Sequence, residues 1–184
     1  MHMSALPELI PTGAITLRRE RLADVDLVSS TVLASLDHLR PWMPWATPEA
    51  ATVTAQRERI IRVEQWWDSG SDFTFLLLDA AQTRMLGHFG LHSRIGPSAI
   101  EMGYWLTPDA TGHGYATSAA GALTKAVLEH LDVARIEIHC DAANIPSQRI
   151  PQRLDYRLDR VEDEEIEAPA EVGRSMIWIF PPSQ

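Results

Sequence analysis

Thr111-Gly112-His113-Gly114-Tyr115-Ala116-Thr117 is the stretch that decides how this chain is read. It separates an apolar run ending in Tyr104-Trp105-Leu106 from an Ala/Leu-rich run through Leu131. The pattern is strand, glycine-rich turn, helix. A helix entered this way leaves its first backbone N–H groups unpaired. They carry the positive end of the helix dipole and form a ready anion site. Gly112 and Gly114 lack a Cβ, so a phosphate can approach the backbone closely. No Lys follows the second glycine, so this is not a P-loop. A plain glycine-rich helix start is the competing reading.

The rest of the chain bounds the ligand. Its 184 residues suit one domain with a sizeable core. No apolar run approaches the length of a membrane span. The first residues lack a secretory pattern, and the single cysteine, Cys140, allows no intrachain disulfide. The expected location is the cytoplasm. A net charge of −9 disfavours a broad nucleic-acid face and leans towards a cationic partner. The seven histidines show no zinc spacing, so no metal is expected.

Outward from the turn, periodicity predicts a strand over 99–106 before it and a helix after it burying Ala116, Ala120, Leu123, Val127 and Leu131. Upstream lie a strand over 15–21, a helix from Asp24 to Pro41, and a second helix restarted by Thr47-Pro48 and running to about Trp67. Strands follow over 73–79 and 85–95. Downstream come a strand over 135–141, a helix over 144–154, and two closing strands over 156–162 and 174–180. Residues 1–13 are expected to form a loosely ordered lead-in to a single domain spanning 1–184. The order describes a mixed α/β domain with one parallel crossover unit around the turn.

Four stretches carry a family resemblance: Leu39-Arg40-Pro41-Trp42, Glu101-Met102-Gly103-Tyr104-Trp105-Leu106, Gly112 to Thr117, and Asn144 with Ser147. Over roughly 14–180 the chain resembles the GNAT superfamily of N-acetyltransferases, in its ribosomal-protein N-terminal (RimJ/RimL) branch. The resemblance implies a mixed, mostly antiparallel sheet flanked by helices. It also implies acetyl-CoA as acyl donor, a primary amine as acceptor, direct attack in a ternary complex, and the possibility of a homodimer. Three positions depart from the family pattern. Thr111 stands where Arg or Gln is usual, Asp155 replaces the glycine of a Leu-Gly-aromatic motif, and Pro151 lies inside a helix.

Roles follow from the resemblance. Thr111, Gly112, His113, Gly114, Tyr115, Ala116 and Thr117 would hold the pyrophosphate of coenzyme A. Asn144 would meet the pantetheine arm, although Asn equally suits a helix N-cap. A backbone N–H near Trp105 or Leu106 would polarise the thioester carbonyl, provided that two strands splay there. Ser147 would protonate the departing thiolate, and Glu101 would accept the amine's proton. Trp42 and Trp45 would line the acceptor entrance, with core packing as the plainer role for at least two of the four tryptophans in this region. Tyr104 reads as a core tyrosine, and Cys140 as a small buried strand residue rather than a nucleophile. A non-catalytic acyl-CoA-binding or protein-interaction module on the same fold is the alternative.

Overall fold

The computed structural model describes residues 6–180. Among them the strands are β1 (Leu9–Pro11), β2 (Ile15–Arg19), β3 (Asp72–Asp79), β4 (Met85–His92), β5 (Ala99–Leu106), β6 (Arg135–Asp141), β7 (Arg157–Asp163) and β8 (Arg174–Phe180). The helices are α1 (Val25–Leu39), α2 (Val53–Ser69), α3 (Tyr115–His130) and α4 (Ile145–Arg153). One sheet runs in the order β1-β2-β3-β4-β5-β6-β8-β7. Neighbours are antiparallel except β5 and β6, which are parallel because α3 carries the chain back between them. No helix among the described residues is long and apolar enough to cross a membrane.

Strand β3 shows why the sheet needs helices on both faces. Its whole middle is buried, as an uninterrupted apolar run requires. Phe73, Phe75 and Leu77 join the core centred on Ala119, Ala120, Leu123 and Val127 of α3. Leu76 and Leu78 point the other way, into a core built by Val28 and Val32 of α1 and Ile60 and Val63 of α2. Each such side chain, fully buried, contributes about 1.5–3 kcal/mol.

Three local expectations are corrected. Within the expected lead-in, Leu6 is buried in the core and β1 pairs with β2; residues 1–5 lie outside the described residues. Thr47 does not open α2. Its hydroxyl accepts from the Ala50 N–H in a separate turn, and the helix begins after Thr52, whose Oγ1 accepts from the Ala55 N–H. Asp24 precedes α1 but does not cap it, because its carboxylate is taken by the Arg21 N–H and the Arg18 guanidinium.

Candidate active site

Strands β5 and β6 pair only at Ala99–Arg135, Ile100–Ile136 and Glu101–Glu137. Beyond Glu101 they part. Strand β5 stays with β4 as far as Leu106, and β6 stays with β8 as far as Asp141. The wedge between them opens into a cleft of about 740 Å³, within the range of small-molecule sites. Trp105 and Leu106 line one bank, His139 and Cys140 the other, and the start of α3 closes one end. This is the splay that the thioester-polarising role requires. Strand β4 backs the first bank so closely that a Cβ on Gly87 would collide with the Trp105 carbonyl.

The α3 end of the cleft is made of backbone. Gly112 and Gly114 take φ of +81° and +78°, a left-handed conformation that costs other residues about 1–2 kcal/mol. Nothing lies within 4 Å of where their Cβ atoms would sit, so the cradle is open. The helix ladder starts with the Ser118 N–H donating to the Gly114 carbonyl, and the earlier amides lie ahead of it. Such a cradle fits a diphosphate. Thr111, Tyr115, Ala116 and Thr117 line the cleft. The Thr111 hydroxyl donates to the Pro108 carbonyl at 2.7 Å, so it braces the turn. His113 is exposed and stacks on Tyr115.

Helix α4 brings Asn144 and Ser147 to the same cleft. Asn144 fulfils the capping alternative, its Oδ1 accepting from the Ser147 N–H at 3.2 Å, and it still lines the cleft. Pro151 has no N–H, so the Ser147 carbonyl one turn earlier loses its helical partner. The Tyr104 hydroxyl takes its place, donating to that carbonyl at 3.3 Å, and lies 3.3 Å from Ser147 Oγ as well. Tyr104 thus packs on the core through its ring, against Phe89, and enters the site through its hydroxyl. Burial raises its pKa, so it stays a protonated donor. Burial also lifts the Cys140 thiol to about 11, which keeps it an inert strand residue.

The opposite end of the cleft is made of charged side chains. Glu101 is buried and gripped by Arg94, whose Nε and Nη2 donate to its two oxygens at 2.7 and 2.6 Å. Burial pushes its carboxyl up, but the Arg94 hydrogen bonds and charge outweigh this and hold it below the usual carboxylate range. The loop joining β7 to β8 bends over this end. The Ala170 N–H donates to the Pro41 carbonyl, and Asp141 Oδ2 accepts from the backbone of Val172, Gly173 and Arg174. Glu164 and Glu165 of that loop line the cleft.

The tryptophans divide. Trp42 lines the cleft. Trp45 instead lines a smaller pocket of about 370 Å³ behind Trp105, under α1 and α2. Trp67 is core, edge-on to Phe73 and Phe75, and Trp66 is exposed. In that same region Glu20 is fully buried between Arg59 and His88, the latter at 3.1 Å. Burial pushes the Glu20 carboxyl up, but His88 and Arg59 overcome it and bring it down to about 2. Arg94 and His139 carry no motif signal. Alternation along β6 was the available clue, since it puts Glu137, His139 and Asp141 on the face opposite the buried Ile136, Ile138 and Cys140.

A parallel pair that forks at an open helix N-terminus, with a glycine cradle at the fork, defines an acetyltransferase domain of the acetyl-CoA-dependent class. The chain belongs to the acetyltransferase (GNAT) domain family, whose pattern matches residues 14–157. Among relatives, the uncharacterized N-acetyltransferase YnaD of Bacillus subtilis is 28% identical over 90 residues, covering 49% of this chain and 52% of that protein. The match therefore spans about half the length of YnaD. Among solved structures, the ribosomal-protein alanine acetyltransferase of Vibrio fischeri superposes with a TM-score of 0.85 at 15% identity, over 93% of this chain and 94% of that one. RimJ of Mycobacterium smegmatis, solved with a coenzyme A disulfide, gives 0.82 at 21% identity, over 98% and 91%. These likenesses establish the GNAT fold.

Proposed function

We propose that the protein transfers the acetyl group of acetyl-CoA to a primary amine by direct attack, with both substrates held in the fork. The observation that carries this reading is the wedge between β5 and β6, which opens the glycine cradle, Ser147 and the acidic rim into one cleft. Acetyl-CoA supplies an activated acyl carbon as its thioester. Gly112 to Thr117 hold its diphosphate through backbone N–H groups, and Asn144 faces the pantetheine arm. Ser147 is the proton donor to the leaving thiolate, with Tyr104 fixing its hydroxyl. Holding both reactants in one cleft supplies the proximity that the reaction needs.

The acceptor is a cationic amine, either the α-amine of a protein N-terminus or a small-molecule amine. Glu101 already holds one cation, the Arg94 guanidinium, at the acceptor end of the cleft. Glu164 and Glu165 extend that negative rim, and the chain carries a net charge of −9. Likeness to the Vibrio fischeri neighbour, an alanine acetyltransferase of a ribosomal protein, favours a protein N-terminus. Trp42 gives the entrance an aromatic wall.

The test is a thiol-release assay with acetyl-CoA over peptides with free N-termini and a polyamine, paired with calorimetry of acetyl-CoA binding. The wild type should release CoA with at least one acceptor. Ser147→Ala should lower turnover by ~10²–10⁴ while leaving acetyl-CoA affinity within about twofold. Binding without release on every acceptor would leave a binding module in place of an enzyme.

A further inference from the structure

Glu137 is fully buried in the middle of β6, and it is ringed by cations. Arg135 Nε donates to its Oε1 at 2.6 Å, and Arg160 of β7 stands 3.8 Å from its Oε2. The third partner is His139, two residues along the same face, whose ring lies 2.7 Å from Glu137 Oε2. Burial pushes the Glu137 carboxyl up, but the Arg135 and His139 hydrogen bonds overcome this and hold it ionised. An ionised carboxylate only accepts. The His139 Nε2 therefore carries the hydrogen and donates it, which leaves Nδ1 with a free lone pair. The ring is about a quarter exposed and lines the cleft just past the point where the strands part.

Position on the sheet separates this histidine from the acid. Ile136, Ile138 and Cys140 turn towards α3, the face that also carries α4 and Ser147. His139 turns to the other face with Glu101, at the acceptor end. Proton acceptor and proton donor thus stand on opposite sides of the fork, as an amine entering from one side and a thiolate leaving to the other require. The carboxylates near the ring are already engaged. Glu101 is held by Arg94, Asp141 accepts from four backbone N–H groups, and Glu137 is taken by Arg135, Arg160 and the His139 N–H. Around the wider cleft, Glu171 accepts from the backbone of Glu167 and Ala168, Glu164 and Glu165 stand on the outer loop, and His38 enters from α1.

We infer that His139 is the general base that takes the attacking amine's proton, with Glu137 as the residue that positions its ring. This rests on the amine-acetylation reading above. In the step, the bound ammonium first loses one proton to water; the free amine nitrogen then bonds to the thioester carbon and passes a second proton to His139 Nδ1. The carbon–sulfur bond breaks, and the thiolate takes the Ser147 hydroxyl proton. Ser147 is then reprotonated from water, and His139 returns its proton to water. Glu101 serves to attract the cationic amine.

The experiment measures kcat/KM against pH for acetylation of an Ala-initiated tetrapeptide and of spermidine. Acetyl-CoA calorimetry, and NMR titration of the His139 ring in the free protein, run alongside. His139→Gln should cost ~10²–10⁴-fold and abolish the acid limb of the profile, with acetyl-CoA affinity unchanged. His139→Ala should regain at least tenfold with added imidazole. Glu137→Gln removes the anion beside the ring, so it should move both the kinetic limb and the NMR midpoint to lower pH together. A His139→Gln enzyme that keeps the wild-type limb and rate overturns this assignment and leaves the acetyltransferase reading intact. A wild type that acetylates neither acceptor overturns both.

Discussion

The two ends of the cleft are built from different materials. At the α3 end the contacts on offer are backbone amides, shaped by two glycines with left-handed φ. At the opposite end they are charged side chains, each already bound: Glu101 to Arg94, His139 to Glu137, Asp141 to the backbone of the loop before β8. A backbone site binds the part of a ligand that never changes, and it depends on side-chain identity at few positions. A side-chain site can be retuned by single substitutions. The difference explains how Thr111 can stand where Arg or Gln is usual without closing the cradle, and it makes the other end the easier one to retune.

Acid should separate the two ends most strongly. Glu20 ties α2 to β4 from a fully buried site, and its carboxyl sits at about 2 in the folded protein against an ordinary 4.5. A lowered folded-state value means that the contribution is complete above pH 4.5 and is lost as pH falls towards 2. The loss should be about 3 kcal/mol. Hydrogen exchange should show α1 and α2 opening before α3 across that interval, and Glu20→Gln should remove the difference. Next in size, Thr111→Arg adds a guanidinium to a backbone-only cradle. It should tighten acetyl-CoA by about 1.5–3 kcal/mol in calorimetry, roughly ten- to a hundredfold, with amine KM unchanged. The mirror experiment at the acceptor end is Glu101→Gln, which should raise amine KM about fivefold, more at low salt, and leave acetyl-CoA affinity alone. If either substitution moves both affinities together, the division of labour is wrong.

The smallest effect concerns a helix end. Asp155 holds φ of +59° where the family pattern has glycine. Asp155→Gly should stabilise the fold by about 0.5–1 kcal/mol in thermal denaturation and leave both affinities untouched.

These contrasts also mark what the sequence could reveal. The crossover strands, α3 and the cradle were legible because they rest on local rules: apolar periodicity, glycine at positive φ, and an open helix start. The β1 pairing was not, since Leu9-Ile10-Pro11 is too short to show alternation and is held only by its neighbour β2. The start of α2 was misplaced because Thr47-Pro48 and Thr52 are both credible caps, and tertiary packing chose the second. The strand bearing Glu101 and the helix bearing Ser147 were legible, but the partners of these side chains were not. The Arg94 clamp comes from a loop with no periodic signal, and the tie between Tyr104 and Ser147 spans 43 positions. Trp45 read as a wall of the entrance, yet it belongs to the pocket behind Trp105.

Pro151 shapes the cleft through the hydrogen bond it cannot make. By withholding one amide it turns the Ser147 carbonyl outward to the phenol of Tyr104, and so pins a helix on one bank to a strand on the other. The pin fixes the spacing of the two banks beside Ser147. Restoring the missing amide with Pro151→Ala would make a more regular helix and free the gauge that spaces the two banks, so a better-formed element would yield a looser enzyme.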